Sequence, residues 1–78
     1  MSDSKHVLRI LDRSGDTVVA WEPGVKTEEK KAKTKFDEMA KMGYLMFATE
    51  APGKTPEQVR SFDPQAFEIV AVAPFKGG

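Results

Sequence analysis

The sequence predicts an α+β domain, with a single mixed β-sheet of four to five strands and one helix packed across it. The chain has 78 residues, which is enough for one domain. Residues 27–42 repeat their apolar side chains at helical spacing, while several shorter apolar runs are rich in β-branched residues and favour strands. A hairpin needs a cover for its apolar face, so a single amphipathic helix is expected to lie across the sheet.

The first two strands are predicted to form a β-hairpin. Residues 6–11 are mostly apolar, and residues 17–21 are β-branched and aromatic in character. Gly15 lies in the turn between them, where a positive φ is often needed. Pro23 and Gly24 then predict a type II turn that ends the hairpin.

The helix is predicted over residues 27–42. Thr27 is expected to be the N-cap, and Glu28 and Glu29 lie in the first turn, where the helix dipole favours negative charge. Gly43 fits the left-handed position just after the last turn. The predicted apolar stripe consists of Ala32, Phe36, Met39 and Ala40.

The later strands are predicted with unequal strength. Residues 44–49 favour a third strand, and residues 58–62 are compatible with a short edge strand after a turn at residues 51–54. Residues 67–75 give the strongest strand signal, and pairing is expected to end near Pro74, which lacks a backbone N–H. Because the first and last strands are the most apolar, they are expected to be neighbours at the centre of the sheet.

The last strand is apolar on both of its alternating faces, so one face could bind a partner. Val70 and Val72 form one set, and Ile69 and Ala71 form the other. A shift of one residue in the pairing register exchanges the two sets, and the pattern alone does not choose between them. We take Val70 and Val72 as the candidate partner surface, with ordinary core packing as the alternative.

Composition excludes several classes of function. Twelve basic and twelve acidic residues give a net charge of zero, so there is no general electrostatic reason to expect nucleic acid or a membrane as partner. The absence of cysteine excludes thiol catalysis and thiolate metal sites, and one histidine is too few for most zinc sites. We therefore expect no enzyme activity, no metal and no cofactor.

Three further expectations concern single features. Trp21 is expected to anchor the core, and His6 is expected to face solvent near the chain start. The lysines of the helix alternate with acidic residues, so a solvated face is favoured over a nucleic-acid patch. The five lysines are Lys30, Lys31, Lys33, Lys35 and Lys41.

The sequence also predicts the limits of the folded domain and the cellular location of the protein. Residues 1–5 are expected to be a disordered N-terminus, residues 6–75 the folded domain, and residues 76–78 a flexible tail. The start of the chain is polar and lacks the apolar segment of a signal peptide, so a cytoplasmic protein is expected.

The order of elements and the ending Ala73-Pro74-Phe75-Lys76-Gly77-Gly78 resemble the β-grasp, ubiquitin-like family, and the ending is most similar to its small sulfur carriers. The resemblance implies that a partner adenylating enzyme uses ATP to activate the carboxylate of Gly78. Gly77 would give clearance in a narrow channel, because glycine has no side chain. The resemblance implies a tail recognised through Pro74, Phe75 and Lys76.

Two fates are open for such an activated chain. It could be a protein modifier joined to protein targets, or a sulfur carrier that serves a sulfur acceptor. A different class of function is also open, in which an apolar sheet face binds partners or assembles subunits without covalent chemistry. A third hypothesis is a small protein associated with nucleic acid.

Overall fold

The computed structural model describes residues 5–12 and 15–73, and these form one mixed five-stranded sheet with a helix across it. The predicted fold class is therefore confirmed. The strand order is β2-β1-β5-β3-β4. The elements are β1 (His6–Asp12), β2 (Gly15–Trp21), α1 (Lys26–Lys41), β3 (Leu45–Thr49), β4 (Glu57–Val59) and β5 (Glu68–Val72).

The first and last strands are neighbours at the centre of the sheet, as predicted. β1 and β5 run parallel, with Leu8 opposite Ile69 and Ile10 opposite Ala71. The other pairs, β1 with β2, β3 with β5 and β3 with β4, are antiparallel. β5 is thus hydrogen-bonded along both of its edges, which fixes its position more firmly than that of an edge strand.

The core lies between the sheet and α1. Trp21 and Phe36 are the largest of its fully buried side chains, which confirms Trp21 as a core anchor. Trp21 also satisfies its indole N–H, because Nε1 donates to the carbonyl of Pro64 at 3.0 Å. The other buried residues are Leu8, Ile10, Ala32, Met46, Ala48, Ala66, Ile69 and Ala71.

The start of α1 differs from the prediction. Thr27 is not the N-cap; the cap is Val25, whose side chain makes no capping hydrogen bond. Acidic side chains of the first turn reach back to the preceding turn instead, where Glu28 Oε1 accepts the backbone N–H of Glu22 at 2.9 Å. Glu29 accepts the N–H of the turn glycine in the same way, at 2.8 Å. These carboxylates are also well placed against the helix dipole.

The end of α1 agrees with the prediction, but its apolar stripe is narrower. Gly43 has φ of 93°, a left-handed conformation that suits glycine. Ala32 and Phe36 are buried and Met39 packs against the core, whereas Ala40 is exposed, contrary to expectation. The predicted turns at Gly24 and Gly53 are also present, with positive φ at each glycine and a closing backbone hydrogen bond of 3.0 Å.

The segment between β3 and β5 corrects two strand limits. β4 covers only Glu57–Val59, so the predicted strand over residues 58–62 is wrong at its end. Phe62 turns towards the core, where its ring meets Trp21 edge-on at 5.0 Å between centroids. β5 begins at Glu68, one residue later than predicted, and Phe67 is exposed.

Candidate docking face of the sheet

One face of the sheet is opposite α1, and we call it the open face. Strand alternation places every second residue there, and the burial pattern of β5 alternates accordingly between buried and half-buried. The described members of the open face on the four longer strands are Val7, Arg9, Leu11, Val18, Ala20, Leu45, Phe47, Thr49, Glu68, Val70 and Val72.

The structure separates the two sets of β5 residues. Ile69 and Ala71 have no exposed surface and lie under α1. Val70 and Val72 lie on the open face and are half-buried. The pair taken as the candidate partner surface is therefore available on the side of the sheet away from the helix, and its binding to a partner stays a prediction.

The apolar character of Val70 and Val72 continues across the neighbouring strands. Val72 lies between Leu11 of β1 and Leu45 of β3, and Val70 is opposite Phe47 of β3. Directly opposite side chains in a sheet are close enough to contact one another. These five residues make a continuous apolar stripe over three adjacent strands, which is the kind of surface that a protein partner can bury.

Some residues of the open face are strongly exposed for their size. Leu45 is 45% exposed and Val18, on the edge strand, is 51% exposed. A single exposed aliphatic residue needs no explanation, but both of these lie on the same face as the stripe. Of the four large apolar residues that are exposed among the described residues, Val18 and Leu45 lie on the open face, whereas Met42 and Phe67 lie outside it.

One ion pair lies beside the stripe. Arg9 Nε donates to Glu68 Oε2 at 3.2 Å, and both side chains retain exposed surface. Such a pair at the surface contributes about 0–1 kcal/mol to folding. The pair would matter more for partner binding than for folding, because a charged donor and acceptor next to an apolar stripe restrict the orientation of a bound partner.

The tail residues predicted from the family resemblance lie outside the described residues, so the structure places none of them. These are Pro74, Phe75, Lys76, Gly77 and Gly78. The last described residue is Ala73, whose N–H donates to the carbonyl of Leu11 at 3.3 Å. The chain therefore stays paired with β1 up to Ala73, which directly follows Val72 of the apolar stripe.

The prediction that His6 faces solvent is wrong. It is half-buried, its Nδ1–H donates to the carbonyl of Ala66, and its ring lies 5.7 Å from that of Trp21. The signal was present in the sequence, since His6 is in step with Leu8 and Ile10 and therefore shares the helix side of the sheet. The hydrogen bond ties the start of β1 to the loop before β5.

Two further sets of polar groups concern the described residues, the side chains that could bind a metal ion and the lysines of the helix. No group of three or more His, Asp or Glu side chains there could hold a metal ion. The helix lysines include two in ion pairs, Lys33 with Asp37 at 2.8 Å and Lys35 with Glu38 at 3.8 Å. Over the same residues, no helix has the length and hydropathy of a membrane span.

No protein-family model, no curated protein and no solved structure matches this chain at a significant level. We therefore infer the function from the fold, the open face and the residues of the tail.

Proposed function

We propose that this chain is a β-grasp, ubiquitin-like protein whose Gly78 carboxylate is activated by a partner adenylating enzyme that uses ATP. It then acts as a protein modifier or as a sulfur carrier. The observation that supports this most directly is the last strand. β5 is central and paired on both sides, and its pairing continues to Ala73, five residues before Gly78.

The chemistry assigns the chain the role of substrate. A carboxylate is a poor electrophile, so an oxygen of Gly78 attacks the α-phosphorus of ATP and pyrophosphate leaves. A sulfur nucleophile then displaces AMP from the acyl-adenylate and gives a thiocarboxylate or a thioester. Gly77 and Gly78 suit this step because they allow close backbone approach in a narrow channel. We expect the protein in the cytoplasm, where ATP and its enzyme would be present.

The open face gives the adenylating enzyme a place to dock. Val72 ends β5, and its neighbours Leu11 and Leu45 carry the apolar stripe to the strands on either side. An enzyme that covers the stripe would hold a rigid body whose tail starts at a fixed point. Because the domain would already be bound, less conformational entropy would be lost when the C-terminal residues enter the channel that leads to ATP.

The test is pyrophosphate release when the chain is incubated with ATP and an adenylating enzyme from the same organism. Deletion of Gly78 is expected to abolish release, and Leu45→Asp is expected to raise the KM for this chain without loss of fold, since Leu45 is already 45% exposed. Thr34→Asp, at an exposed position on the helix, is the matched control and should behave as wild type. Release that persists without Gly78 contradicts the proposal.

A second candidate function is a non-covalent binding module that uses the open face. The apolar stripe favours it, together with the exposure of Val18 and Leu45 on the same face. The two functions differ in their dependence on the tail. Partner binding that survives removal of residues 77–78 but is lost in Leu45→Asp supports the binding module, whereas loss on tail removal supports the first function.

A further inference from the structure

A second surface feature lies away from the open face, between the first turns of α1 and the loop before β5. It is a groove with a volume of about 390 Å³, and we call it the lysine-rimmed groove. Phe62 and Pro64 supply its apolar wall. Its lining consists of Lys26, Glu29, Lys30, Lys33, Phe62 and Pro64.

The apolar wall of the groove is held in place by the core. The ring of Phe62 meets those of Trp21 and Phe36 edge-on, at 5.0 and 5.9 Å between centroids. The carbonyl of Pro64 accepts the indole N–H of Trp21 at 3.0 Å. Asp63 accepts two backbone N–H groups of the same loop, at 3.0 and 3.1 Å. A wall fixed in this way loses little freedom when a ligand packs against it.

The rim of the groove is positively charged. Lys26, Lys30 and Lys33 follow one another at helical spacings of four and three residues, so they lie along one side of α1. Glu29 is the one acidic residue in the lining, and its carboxylate already accepts a backbone N–H at 2.8 Å. Lys33 pairs with Asp37, whereas the salt bridges among the described residues include neither Lys26 nor Lys30.

We propose that the lysine-rimmed groove binds an acidic segment of a partner protein that carries one apolar side chain. That side chain packs on Phe62 and Pro64, and carboxylates on either side of it meet Lys26 and Lys30. Although the whole chain has a net charge of zero, the rim of the groove is positive. Charge complementarity at the rim therefore favours an acidic ligand. A protein segment is favoured over nucleic acid because the apolar wall of Phe62 and Pro64 suits an apolar side chain, and three lysines give only a short row of positive charge for a phosphate backbone.

The groove lies near the start of β5, and Ala73, the last described residue, lies just after its end. Phe62 and Pro64 precede the start of β5, and the tail follows its end. The five residues of β5 span about 17 Å at the usual rise of a strand. A partner in the groove would therefore contact residues near the start of β5 and not Ala73, and its binding does not require an activated Gly78.

The test uses the full chain and a short fluorescent peptide with one phenylalanine flanked by glutamates. We expect saturable binding that falls by about tenfold, or about 1.4 kcal/mol, in the double variant Lys26→Glu/Lys30→Glu. The variant Lys31→Glu/Lys41→Glu changes the net charge equally on the same helix and should bind as wild type. In amide NMR spectra, the peptide should shift Phe62 and its neighbours.

Four results would overturn the proposal. The first is an absence of saturable peptide binding, and the second is equal weakening by the two double variants, which would indicate a general charge effect. The third is tighter binding of single-stranded RNA than of the peptide by the wild-type chain. Replacement of the peptide's phenylalanine by glycine should weaken binding, and its failure to do so would also contradict a role for Phe62 and Pro64.

Discussion

Two alanine substitutions at adjacent positions of β5 should differ sharply in their cost. Ile69 has no exposed surface and packs under α1, so Ile69→Ala should destabilise the fold by about 2–5 kcal/mol. At roughly 0.05–0.15 kcal/mol per residue, a chain of 78 residues has a total stability of about 4–12 kcal/mol. The substitution therefore removes a large fraction of the free energy of unfolding.

Val70→Ala should cost much less, because Val70 lies on the open face and is only half-buried. The change removes two methyl groups, and a fully buried CH₂ contributes about 0.8 kcal/mol. Because Val70 keeps only a minor part of its surface exposed, the expected loss is about 1–1.5 kcal/mol. For a domain of this size, each kcal/mol lowers the Tm by about 4–8 °C.

Urea unfolding followed by the fluorescence of Trp21 measures both variants, since Trp21 is fully buried in the core. We expect the midpoint of Ile69→Ala to fall well below that of Val70→Ala, with similar m-values for the two. Equal losses at Ile69 and Val70 would refute the assignment of the two faces of β5. They would mean that Val70 is as fully covered as Ile69.

Three further substitutions test other contacts. Trp21→Phe should lose about 1–3 kcal/mol in urea unfolding, because the carbonyl of Pro64 loses its donor; an unchanged midpoint would contradict that role. Gly24→Ala should lower the free energy of unfolding by about 1 kcal/mol, because φ at Gly24 is 93° and alanine is strained there. No atom blocks the new Cβ, so no steric clash adds to this loss, and a gain in Tm would argue against the turn. The pKa of Glu28 is lowered, chiefly by the hydrogen bond from Lys5 Nζ. Its stabilising effect is thus present above pH 4.5 and is lost as the pH falls through the lowered pKa, so the stability difference from Glu28→Gln should shrink in acid.

The general arrangement of the strands could be predicted from the sequence, but the faces of β5 could not. Ile69, Val70, Ala71 and Val72 are all apolar, so alternation carries no information within that segment. The choice is made by pairing with β1, where Leu8 is opposite Ile69 and is buried with it. The pairing of β5 with β1 therefore determines which face of β5 is buried, and the local sequence pattern does not.

Two other differences have local causes that propensity does not capture. Thr27 is a good N-cap by type, but α1 begins one residue earlier because the carboxylates of Glu28 and Glu29 satisfy N–H groups of the preceding turn. Phe62 reads as part of an edge strand, yet its ring is drawn into an aromatic cluster with Trp21 and Phe36. The start of α1 and the position of Phe62 both depend on side-chain contacts that helix and strand periodicity does not predict.

The proposed function depends on a free Gly78 carboxylate that becomes activated, and mass spectrometry of the chain from its own cells tests this most directly. We expect an intact mass that ends at Gly78, together with one of two signatures. A sulfur carrier shows replacement of one oxygen by sulfur, and a modifier leaves a Gly-Gly remnant on target lysines after tryptic cleavage at Lys76. A mature chain that continues beyond Gly78, or that carries neither signature, would contradict the proposal.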